Sequence, residues 1–97
     1  MRNSLCYQIR DLIFDNNLNF IIVTKNNSES LRFTKDDISI KYNPITKESI
    51  LELSSYKLPY KFSLSDTTIT DIYFANGLSL FITFDTGKLT VTRTQMP

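Results

Sequence analysis

Residues 68–94, TITDIYFANGLSLFITFDTGKLTVTRT, read as an antiparallel β-meander. Asn76-Gly77 lies between two apolar runs, and this dipeptide accepts the positive φ angles of a two-residue type I′ hairpin turn. After it, Leu78, Leu80, Ile82 and Phe84 alternate with Ser79, Phe81 and Thr83, the period of two that sends successive side chains to opposite faces. Asp85-Thr86-Gly87 turns the chain again, with Gly87 expected in the left-handed position of a three-residue loop. Leu89, Val91 and Arg93 then form a third strand.

Residues 8–35, QIRDLIFDNNLNFIIVTKNNSESLRFTK, can be laid under this stretch at an offset of sixty positions. Ile9, Asp11, Phe14, Asn16, Leu18 and Ile22 then fall on Ile69, Asp71, Phe74, Asn76, Leu78 and Ile82. These identities point to an internal repeat, and hence to two similar meanders building the two halves of one core. The repeat argues for a strand at residues 4–13. Leu5, Ile9, Leu12 and Ile13 can instead form one face of a short helix capped by Asn3 or Ser4.

Between the two meanders the β pattern continues. Ile38, Ile40 and Tyr42 alternate with Ser39 and Lys41, Asn43-Pro44 begins a loop, and Ile50, Leu51 and Leu53 resume an apolar run. Pro59 starts a strand or confines it to an edge, after which Tyr60, Phe62 and Leu64 alternate. Eight or nine short strands, two glycines and no long helix indicate an all-β chain, a small antiparallel β-sandwich or a closed barrel. With 97 residues and no linker or low-complexity segment, residues 1–97 are expected to form a single domain. A chain of that length buries about 60–65% of its unfolded surface, enough for a core without staples.

Charge and composition then narrow the chemistry. Eleven Lys and Arg against ten Asp and Glu leave no large net charge to draw the chain to nucleic acid or an anionic membrane. One cysteine, Cys6, excludes an intramolecular disulfide, and the absence of histidine removes the usual Cys/His zinc sites, so no metal or other cofactor is expected. Gln8, Arg10 and Asp11 interrupt any secretory apolar core, and no uncharged run is long enough to span a bilayer. The expectation is a soluble, cytoplasmic protein.

Without histidine, Ser-His and Cys-His nucleophile pairs cannot be assembled. Gly77 and Gly87 stand alone, so no glycine-rich phosphate loop exists. Carboxylates remain: Asp11 and Asp71 occupy equivalent repeat positions, and Asp36-Asp37 adjoin each other, but solvated strand positions and a turn between strands are their simplest readings. An enzyme using only carboxylate, tyrosine or lysine is the weakest option, and no catalytic residue is assigned.

Two features bear on partners. In Tyr56-Lys57-Leu58-Pro59-Tyr60-Lys61-Phe62 aromatic and basic residues recur within an acid-free segment, and Tyr56, Lys57, Tyr60 and Lys61 could stack bases and neutralise phosphates of single-stranded RNA or DNA. Arg32, Lys35 and Lys41 would widen the patch, while Glu29, Asp36 and Asp37 would weaken it. The simpler reading is a half-buried strand. Ile21, Val23 and Phe81 lie opposite Leu18, Phe20, Ile22 and Leu78, Leu80, Ile82, so both faces of the sheet are apolar there. Such a strand is covered on both sides by its own chain or presents a patch to another protein. Self-association through that patch, or through the uncharged edge offered by LSLFITF, would follow from exposure.

No family pattern is carried by these residues. The function expected is a non-catalytic protein-binding module that occupies a partner surface, with Ile21, Phe81, Tyr56 and Tyr60 as anchors. In size it matches phage- or mobile-element-encoded inhibitors of host-defence nuclease complexes, an analogy of scale alone. The alternative is a small single-stranded nucleic-acid-binding domain.

Overall fold

The first meander does not form. In the computed structural model, which describes residues 4–25, 30–57 and 61–93, the chain begins with helix α1 (Leu5–Asp15). Cys6, Ile9 and Ile13 recur at helical spacing and are all buried. Ser4 is the N-cap: its Oγ accepts from the Tyr7 N–H at 3.5 Å and donates to Asp66 Oδ1 at 3.1 Å. The same carboxylate oxygen takes the Cys6 N–H at 2.9 Å, so a loop residue sixty positions away holds the helix start. Asn17, at φ 55°, ends α1 in the left-handed region, and the Leu18 N–H reaches the Ile13 carbonyl at 2.9 Å.

Eight strands follow: β1 (Phe20–Lys25), β2 (Ser30–Thr34), β3 (Ile38–Asn43), β4 (Glu48–Ser54), β5 (Lys61–Ser65), β6 (Ile69–Ala75), β7 (Ser79–Phe84) and β8 (Gly87–Thr92). A 3₁₀ turn, Lys35–Asp37, joins β2 to β3, with Asp37 accepting the Thr34 N–H at 2.9 Å. One antiparallel sheet has the order β2-β1-β8-β7-β6, the other β3-β4-β5, and neither closes into a barrel. The described residues are therefore mostly β with one α-helix. α1 packs on β3 and β4.

Buried side chains of α1 and both sheets form one cluster. Phe62 of β5 meets Phe84 of β7 with ring centroids 5.3 Å apart, tilted by 51°. Leu51, Leu53, Leu80, Ile82, Leu89 and Val91 are almost wholly inaccessible. Each such residue contributes about 1.5–3 kcal/mol relative to exposure.

The sixty-residue register fails in β1 as well as in α1. It aligns Ile22 with Ile82, yet β1 buries Ile21 and Val23 while leaving Phe20 and Ile22 half-buried, one position out of phase. The two expected turns also differ in detail. Asn76 and Gly77 do take positive φ, 52° and 71°, but Ala75 pairs with Ser79, so Leu78 joins the connection and is half exposed. Gly87 is not left-handed. A Cβ there would run into the Thr24 carbonyl oxygen of β1, and that close approach demands glycine.

Candidate protein-binding face

Alternation along each strand of the five-stranded sheet sends one set of side chains into the core and the other outward. Strand pairing then aligns the outward set into rows. Arg32 pairs with Ile22, Ile22 with Thr90, Thr90 with Phe81, and Phe81 with Tyr73. At about 4.8 Å per strand this row crosses about 19 Å. A parallel row runs Thr34, Phe20, Thr92, Ser79, Ala75.

At the β6 end of the first row Tyr73 and Phe81 stack, with centroids 6.2 Å apart and planes 24° from parallel. Tyr73 is 61% and Phe81 40% exposed, so the stacked pair is open to solvent. Around it the face is rich in threonine, and Arg32, Lys88 and Asp71 are its charged side chains among the described strand residues.

At the β2 end the face runs into a groove of about 380 Å³. Phe20, Ile22, Arg32 and Thr34 line it from the sheet, and Ser55, Tyr56 and Lys57, just after β4, also line it. Tyr56 is 95% exposed, with the Lys57 ammonium 5.8 Å from its ring centroid. Arg32 forms no hydrogen bond or ion pair with a described residue; the ion pairs given for the described residues, Arg10–Asp11 and Lys41–Glu52, lie on α1 and on the other sheet.

No family model matches the chain, and neither a curated protein nor a solved structure shows significant similarity to it.

The residues singled out from the sequence separate accordingly. Phe81 lies on the open face. Ile21 does not: at 1% exposure it belongs to the core side of β1, because the true phase of that strand buries odd-numbered positions, and it cannot anchor a partner. Tyr56 and Lys57 reach the groove, whereas Lys61 is exposed on β5, in the other sheet. Tyr60 lies outside the described residues. Phe62 and Leu64 are core, as the half-buried strand reading required. LSLFITF forms β7 and the turn before it, and β7 is hydrogen-bonded on both sides, so it offers no free edge.

The carboxylates are dispersed. Asp11 pairs with Arg10 on α1 at 3.2 Å, Asp71 sits on β6, Asp37 caps a turn, and Asp66 caps the helix. No group of metal-ligating side chains occurs among the described residues. Cys6 is wholly buried, with Sγ 3.4 Å from the Ser49 carbonyl and 3.5 Å from that of Leu64. Burial and then the nearby Asp66 carboxylate push its thiol up to about 12, far from a nucleophile's range. Sequence reasoning missed Tyr73. Its alternation with Ile72 and Phe74 marks it as outward-facing, but only strand pairing shows that it stacks on Phe81.

Proposed function

We propose that the chain is a non-catalytic protein-binding module that covers a surface of a larger protein with the outer face of its five-stranded sheet. The observation that carries this reading is the stacked, solvent-open pair Tyr73 and Phe81 on the outer strand surface. Aromatic anchors with low conformational entropy dominate interface energetics. The two sheets are read as the layers of a sandwich, a rigid frame that pre-organises the face. Steric occupation of the partner's surface, a nuclease complex for example, needs no catalytic group. An unpaired thiol suits a reducing compartment such as the cytosol.

Replacing Tyr73 and Phe81 together by alanine tests the reading. The double variant keeps its fold, because both side chains lie outside the core, and it loses partner capture.

A second reading, single-stranded nucleic acid, is favoured by one observation: the groove brings Tyr56, Lys57 and Arg32 together. It requires affinity falling with salt at a log-log slope of about 0.7 per phosphate contact. Binding insensitive to salt, or surviving Lys57→Glu, excludes it.

A further inference from the structure

The groove at the β2 edge has a composition distinct from the flat face it adjoins. Phe20, Ile22 and Tyr56 give it apolar walls, while Arg32 and Lys57 supply cations. Asp37 also lines it, but its Oδ2 already accepts from the Thr34 backbone N–H at 2.9 Å and the Thr34 hydroxyl at 3.4 Å. The Arg32 guanidinium has five N–H donors and spends none on a described residue. An exposed arginine beside aromatic and aliphatic walls is arranged for a planar anion attached to an apolar group.

We propose that this groove receives an acidic-apolar peptide segment of the protein partner: an apolar side chain against Phe20, Ile22 and Tyr56, with a neighbouring carboxylate paired to Arg32 and Lys57. The inference rests on the reading of the adjoining face as a protein interface. A volume of about 380 Å³ suits one or two side chains, at the small end of ligand sites. Carboxylate is favoured over a phosphate backbone on charge. Two cations offset by Asp37 can neutralise one anion, whereas strand binding needs a row of them, and the whole chain carries a formal charge of only +1.

The test is an amide chemical-shift titration of the ¹⁵N-labelled protein with acetyl-Glu-Phe-Leu-amide, with its Gln-Phe-Leu analogue, and with decathymidylate. The acidic peptide is expected to give saturable shifts confined to Phe20, Ile22, Arg32, Tyr56 and Lys57. The uncharged analogue, or the Arg32→Gln variant, should bind about tenfold more weakly, as loss of a charged hydrogen bond implies. Lys41→Gln, on the other sheet, should change nothing. Equal binding of the two peptides, no saturation, or indifference to Arg32→Gln overturns the proposal. So does tighter, salt-sensitive binding of decathymidylate, which would assign the groove to nucleic acid. Because the titration does not involve Tyr73 or Phe81, a partner captured without those two rings would refute the interface reading while leaving the groove result standing.

Discussion

Cys6 and Gly87 show how this fold constrains single residues. The buried thiol holds its proton to about 12, whereas in the unfolded chain it releases it near 9. The resulting stability is fully present below pH 9 and is lost as pH rises from there toward 12. Urea unfolding at pH 8, 9.5 and 11 should therefore show the wild type losing up to about 1.4 kcal/mol per pH unit more than Cys6→Ala above pH 9. Parallel slopes for the two proteins would show that the thiol is not so perturbed. Gly87 answers to a different constraint, the Thr24 carbonyl that occupies the place of a side chain. Gly87→Ala should cost about 1–3 kcal/mol by pushing β8 away from β1, measured as a lowered midpoint of thermal unfolding. Gly77, with open space but φ 71°, should lose only about 1 kcal/mol on the same change.

At the level of elements, α1 depends on a residue far along the chain. Asp66 accepts from both the Ser4 hydroxyl and the Cys6 N–H at the positive end of the helix. Asp66→Ala should destabilise the protein by about 1–2 kcal/mol with a loss of helical circular dichroism on partial denaturation, and Ser4→Ala by somewhat less. What could be read in the sequence follows the same division. The strands β4, β7 and β8 were legible because every second residue of each is buried, and β3 because Ile38, Ile40 and Tyr42 alternate with polar residues, although it buries none of them fully. The helix was legible only as the alternative reading: Leu5, Ile9, Leu12 and Ile13 with Ser4 as cap mark it, as the structure shows, while the match to residues 68–83 argued for a strand. Local identity of residues proved weaker than the cap supplied by Asp66, which no local pattern reveals. The phase of β1 was equally hidden: in FIIV every residue is apolar, and only packing decides that Ile21 and Val23 face inward. Phe81 was legible as an outward residue by alternation. Tyr73 and Arg32 joined it only through strand order, which brings β6 and β2 to opposite ends of one row.

For the whole molecule, the helix and the three-stranded sheet share one core with the five-stranded sheet, whose outer face carries a row from Arg32 to Tyr73. That division makes the central claim testable without disturbing the fold. The decisive measurement is a pull-down from nuclease-treated extract of the native cells, comparing tagged wild type, Tyr73→Ala/Phe81→Ala, and a control carrying Lys61→Ala on β5. All three should unfold at similar temperatures. A defined protein recovered by the wild type and the control, and lost with the double variant, is the predicted result. Equal recovery by all three, or recovery of nucleic acid alone without the nuclease step, would contradict it.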